Sequence, residues 1–143
     1  MKKIILILFL IFYTNERVYS QVKNGVYETG FTKFINENNP SKNFSEYDDS
    51  LIIVDIYEYP QTYGSVTLTI KDDEETANIK FVLTGEKNVG TVEGTKYIIY
   101  KANIYLLDQK TKAKCTIGFD SKMTTITILY ENGSSQTWGL SKI

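Results

Sequence analysis

Over long stretches of this chain every second residue is apolar, and that periodicity restricts the fold more than any other feature. Val66, Leu68 and Ile70 alternate with Thr67, Thr69 and Lys71, and Ala77, Ile79, Phe81 and Leu83 with Asn78, Lys80, Val82 and Thr84. Ile98, Tyr100, Ala102, Ile104 and Leu106 alternate with Ile99, Lys101, Asn103 and Tyr105, and Ile126, Ile128 and Tyr130 with Thr125, Thr127, Leu129 and Glu131. Ala113, Cys115, Ile117 and Phe119 alternate with Lys114, Thr116 and Gly118. A β-strand turns successive side chains to opposite faces, so this spacing buries one face and wets the other. Val, Ile, Thr and Tyr also suit the pleated surface. The expectation is an antiparallel, all-β fold.

Short polar connections separate these runs: Pro60 to Gly64, Asp72 to Glu75, Asp108 to Lys112, Asp120 to Lys122, and Glu131 to Ser134, the last carrying the hairpin dipeptide Asn132-Gly133. Strands joined this tightly pair with their neighbours. The result is a meander of seven or eight strands from Leu51 to Leu140, with one more near Val26. Gly85 to Gly94 reads as a connection around a short strand. Two stretches read differently. Leu51-Ile52-Ile53-Val54 lacks alternation and suggests a strand covered on both faces, or one that passes beneath the 31–50 segment. Phe31, Phe34 and Ile35 are spaced for one helical turn, and the polar stretch from Asn36 to Ser45, with Pro40, reads as a loop. An open meander leaves edges that invite aggregation, and closure removes them. An up-and-down barrel of about eight strands is therefore expected ahead of a two-sheet sandwich.

Gly25-Val26-Tyr27, followed by successive hairpins, resembles the layout of small lipocalin-like proteins. That family opens with Gly-x-Trp, and tyrosine stands in place of the tryptophan here. The resemblance implies an up-and-down barrel and carries no site residue.

The first twenty residues read as a secretory signal. Lys2 and Lys3 precede an apolar run of ten residues, Ile4 to Tyr13, and Val18-Tyr19-Ser20 forms a cleavage site before Gln21. Spanning a bilayer takes about 20 apolar residues, and Thr14-Asn15-Glu16-Arg17 interrupts the run at once. The expected organisation is a signal peptide over 1–20 and one all-β domain over 21–143, secreted or periplasmic, with no membrane span in the mature chain. Cleavage takes the basic residues from 16 to 13, all lysine, and the acidic ones from 17 to 16, a net charge near −3. No basic stripe or arginine fork points to nucleic acid. The single cysteine, Cys115, cannot form an internal disulfide and reads as a buried small hydrophobe.

Much chemistry is missing. The chain has no histidine, which removes the triads built on it, imidazole acid–base catalysis and the commonest transition-metal ligand. No phosphate loop or Gly-x-Gly-x-x-Gly motif occurs, so no cofactor is expected. Carboxylate pairs such as Asp55 with Glu58, or Glu93 with Glu131, leave glycoside hydrolysis formally open. The run Asp72-Asp73-Glu74-Glu75 lacks the spacing of a calcium loop and reads as a solvated turn. A non-catalytic protein is expected.

Aromatic residues are the compositional excess. The mature chain keeps nine of the eleven tyrosines, five of the seven phenylalanines and Trp138. Tyr57, Tyr59 and Tyr63 gather around one strand end and its turn, and tyrosine suits contact with protein or sugar. Phe81, Tyr100 and Phe119 lie on expected inward faces. Two functions follow. The first is a barrel holding a small apolar molecule against Tyr100, Phe81 and Phe119. The alternative is a protein- or glycan-binding module using an exposed patch at Tyr57, Tyr59 and Tyr63. A void inside the barrel would favour the first, and a filled interior the second.

Overall fold

The computed structural model describes residues 22–71 and 75–143. The segment read as a signal peptide and the acids at 72–74 lie outside the described residues. Nine strands follow one another: β1 (Gly25–Ile35), β2 (Phe44–Tyr47), β3 (Leu51–Tyr57), β4 (Tyr63–Lys71), β5 (Thr76–Val92), β6 (Thr95–Leu106), β7 (Gln109–Asp120), β8 (Thr125–Tyr130) and β9 (Ser135–Lys142). Each from β3 onward pairs antiparallel with the next, and β9 returns to β1, with Tyr27 opposite Lys142 and Phe34 opposite Gln136. The chain is an all-β, closed antiparallel barrel of eight strands, with β2 as an extra strand beside the far half of β1. Closure leaves no sandwich.

Alternation places the core as expected. Val66 and Leu68, Phe81 and Leu83, Ile98, Tyr100, Ala102 and Ile104, Cys115, Ile117 and Phe119, and Ile126 and Ile128 are all buried, joined by Tyr27 and Trp138. Burying each large apolar side chain contributes about 1.5–3 kcal/mol relative to leaving it in water. Toward the barrel ends the same faces open: Ile70 and Leu106 are exposed, and so is Ala113, which the alternation had placed inside.

β3 corrects one expectation. It alternates after all, with Ile52, Val54 and Ile56 buried and Ile53 turned out to solvent. The segment at 31–35 corrects another, since it is strand and not helix. β1 bulges between Thr29 and Thr32, so that both threonines face inward and the inward phase moves from odd to even residues. The bulge is held where β1 changes partner from β3 to β2. Thr29 Oγ1 donates to Asp48 Oδ2 (2.8 Å) and accepts the Ser50 N–H (2.9 Å). Beyond it, Phe34 stacks on Phe44 at 5.5 Å between centroids. Phe31 turns outward over Gly139, where an added Cβ would lie 2.6 Å from its ring. The loop expected at 36–45 contains a 3-10 turn at Pro40–Lys42 and runs into β2 at Phe44. The stretch from Gly85 to Gly94 is no separate element either: β5 continues through a bulge between Leu83 and Lys87 to Val92.

The turns divide between the two barrel ends. β3–β4, β5–β6 and β7–β8 turn at one end, and β4–β5, β6–β7 and β8–β9 at the other. The tightest are Glu93-Gly94 and Leu107-Asp108, where both residues have positive φ. Such two-residue turns match the twist of the strands, and they favour Gly, Asn or Asp. Leu107 departs from that preference with φ +50° and 80% exposure. Leu107→Gly is therefore expected to raise stability by about 1 kcal/mol, seen as a higher urea midpoint. An unchanged or lowered midpoint would show that the leucine makes a compensating contact.

Candidate functional site

The six residues singled out from sequence fall into two groups. Tyr100, Phe81 and Phe119 sit deep in the barrel, at 0%, 1% and 0% exposure. Tyr100 and Phe119 meet edge to face at 6.2 Å. Side chains bordering a void that admits water would keep accessible surface there. With Ile117 and Ile128 also fully covered, the middle of the barrel is filled by its own side chains.

Tyr57, Tyr59 and Tyr63 come together at the β3–β4 turn, 46%, 91% and 48% exposed. Tyr57 and Tyr63 are cross-strand partners on the outer face. Their rings stack at 5.1 Å with a 19° tilt, so each holds the other in place. The turn can lie this close to β3 because Gly64 has φ +125° and no side chain, directly over the Asp55 carbonyl. The Asp55 carboxylate beside the Tyr57 hydroxyl raises the tyrosine's pKa, first as a hydrogen-bond acceptor and then through its charge.

Just inside this end lies a polar cluster. The Tyr100 hydroxyl donates to Glu58 Oε1 at 2.8 Å, and the Lys87 ammonium sits 2.7 Å from the same oxygen. Glu58 follows β3, and Lys87 lies on β5 beyond its last pairing with β4. The contact therefore spans the gap where β4 and β5 part. Glu58 was a candidate acid in the sequence. Lys87 was not, because the glycines around it read as a loop and gave no inward face to place it on. Of the two carboxylate pairs, Glu93 and Glu131 stand at opposite ends of the barrel. Asp55 points outward while Glu58 is engaged with Lys87 and Tyr100. Asp120 is buried, but its oxygens accept the Thr124 and Thr125 N–H groups (2.7 and 2.8 Å) and so pin the β7–β8 turn. Among the described residues no three Asp, Glu or Cys gather as a metal site.

At the far end a cleft of about 510 Å³ opens among Phe34, Ile104, Tyr130, Ser134 and Gln136. Phe34, Ile104 and Tyr130 give it apolar lining, and Lys114 and Glu131 border it as well. Gln136 is fixed by donating to Thr32 Oγ1 at 2.9 Å. The periodicity had placed Ile104 and Tyr130 inward but gave no sign of the cleft, which depends on where the β8–β9 turn closes.

Cys115 is buried opposite Tyr130. Burial, helped by the Glu131 charge, pushes its thiol up to about 12. Burial and the neighbouring Cys115 push the Tyr130 hydroxyl up to about 12 as well. Tyr100 is also raised, first by burial and then by Glu58. In the unfolded chain these groups ionise at their ordinary values of 9.0 and 10.0. Above pH 9 the unfolded chain therefore gives up protons that the folded chain keeps, and stability falls as pH rises. Below that the three groups contribute no slope. The urea midpoint is expected to be lower at about pH 10.5 than at about pH 8, with part of the loss removed by Cys115→Ala. Equal midpoints would mean that these groups are not buried.

The chain matches no protein-family model, no curated protein and no solved structure.

Proposed function

We propose that the chain is an exported, non-catalytic binding domain that contacts a partner protein through Tyr57, Tyr59 and Tyr63. One observation carries the reading: three exposed tyrosines, two of them pre-stacked, stand on a barrel whose own middle is full. Tyrosine offers a large, amphipathic contact area with few torsions to freeze, and it is enriched where binding energy concentrates. Stacking before contact lowers the ordering cost further. A protein is favoured over a glycan because the platform lies on the outer, convex wall. Small ligands and sugars are held in concave sites with several converging polar groups.

The test places a photo-crosslinking amino acid at position 59 in chains secreted by their natural host. Discrete protein adducts are expected, and they should disappear when Tyr57→Ser and Tyr63→Ser are combined. Adducts that survive those substitutions, glycan adducts, or none at all would refute the reading.

The opposite cleft favours a second reading, a small apolar ligand held at the barrel mouth over Ile104 and Tyr130. Its volume of about 510 Å³ lies in the range of small-molecule sites. Solvent extraction of the purified protein followed by mass spectrometry should then recover one compound at near-equal stoichiometry.

A further inference from the structure

Two bulges flank the middle of β6. On one side Lys101 alone spans Thr84 to Glu86, because β5 skips from Leu83 opposite Ala102 to Lys87 opposite Tyr100. On the other Ile104 alone spans Thr111 to Ala113, because β7 skips from Lys114 opposite Asn103 to Lys110 opposite Tyr105. Side-chain hydrogen bonds bridge both. Thr84 Oγ1 reaches the Lys101 carbonyl at 3.4 Å. Thr111 Oγ1 donates to the Ile104 carbonyl at 2.7 Å and accepts the Ala113 N–H at 3.1 Å. Bulges re-aim side chains and recur beside functional sites. Here they border a hollow of about 360 Å³ lined by Thr84, Glu86, Lys101, Asn103, Lys110 and Lys114.

Three lysines thus share one hollow, in a chain whose net charge is −1. Among the described residues none of the three forms an ion pair. Lys101 Nζ meets only a hydroxyl, Thr116 Oγ1 at 3.3 Å. Glu86 lines the hollow but pairs with no lysine in it. Glu131 has its Oε1 taken by the Lys114 backbone N–H at 2.7 Å. Like charges gathered without counterions raise the local potential, and a concave wall focuses it on an anion. Thr84 and the half-buried Asn103 add a hydroxyl and an amide to the same wall.

We infer that this hollow binds the phosphate or sulfate monoester of a sugar-sized polar molecule. The ester oxygens accept hydrogen bonds from Lys101, Lys110 and Lys114, each a point charge suited to such an anion. Asn103 and Thr84 meet the hydroxyls of the body. A volume of about 360 Å³ falls in the range of small-molecule sites, and a bare oxyanion would leave much of it to water. The hollow shares no residue with the tyrosine platform, so either reading can fail alone.

Calorimetric titration of the secreted chain with glucose-6-phosphate and glucose-6-sulfate should show saturable binding of at least one ester. Glucose and inorganic phosphate should each bind at least roughly tenfold more weakly. Lys110→Gln and Lys114→Gln should each weaken ester binding about tenfold, as expected for losing one charge-assisted hydrogen bond. Glu86→Gln should strengthen it. Lys112→Gln removes the same charge from the same strand, outside the lining, and should leave it unchanged. All four positions are exposed, and unchanged circular dichroism verifies each fold. The inference would be overturned if neither ester bound, or if inorganic phosphate bound as tightly as the esters. Equal losses in Lys112→Gln and in the two lining variants would overturn it too.

Discussion

Gly64→Ala is expected to destabilise the protein by on the order of 3–4 kcal/mol. A methyl group at this position would lie 2.1 Å from the Asp55 carbonyl oxygen and 3.0 Å from the Ile56 Cα. Both atoms are backbone of β3 in the paired part of the hairpin beside its turn, so no side chain can swing aside. The positive φ of +125° adds a conformation that residues with a Cβ rarely adopt. The platform depends on the same close approach, since Tyr57 and Tyr63 stack across that hairpin. Gly30→Ala is the matched control. It has open space around it and no left-handed backbone, and it should change the urea midpoint little. If Gly64→Ala proved as mild as Gly30→Ala, the hairpin would have to sit farther from β3 than described.

Phe119→Ala is expected to cost about 3–5 kcal/mol. Phe119 is fully covered, edge-on to Tyr100, and its cross-strand neighbours Ile98 and Ile126 are also buried. Removing the ring leaves a hole that these neighbours cannot close, because their backbones are fixed by the barrel. The variant has a second, more specific signature. A dry apolar hole accepts small hydrophobic molecules, so benzene should raise the thermal midpoint of Phe119→Ala and leave the parent unaffected. A small loss of stability, together with ligand-dependent stabilisation of the parent, would instead show that the interior already holds a cavity. That outcome would return the apolar-ligand reading to the centre of the barrel.

Individual elements show why some of this architecture is legible in a linear sequence. β4, β6 and β8 could be read directly because each keeps one phase between an inner apolar face and an outer polar one. β1 could not. Its bulge adds a residue at Gly30-Phe31, and one skipped phase converts alternate spacing into the Phe31, Phe34, Ile35 pattern of a helical turn. β3 misled for a different reason. Ile53 is apolar but faces solvent, and nothing local distinguishes it from Ile52, which is buried. β5 was cut short because Gly85 and Gly90 signal a loop, whereas here the first accommodates a bulge with φ +108° and the second simply continues the strand.

The candidate residues divide along the same line. Exposure of Tyr59 follows from its place in a polar turn, and burial of Phe81 and Phe119 follows from their place in clean alternation. That Tyr57 and Tyr63 touch is a matter of register, set by the close approach at Gly64. The association of Glu58, Lys87 and Tyr100 is farther from view, since it joins the β3–β4 turn to β5 and β6 where β5 extends beyond its pairing with β4.

Local periodicity and turn chemistry were enough to specify β4, β6, β7 and β8, their order and the side of each that faces inward, because these depend on residues one or two apart. The register of β9 on β1, the filling of the interior, the stacked platform and the unpaired stretch of β5 came only with the three-dimensional arrangement. Each depends on register and strand length relative to distant partners, and no short window of residues contains that information.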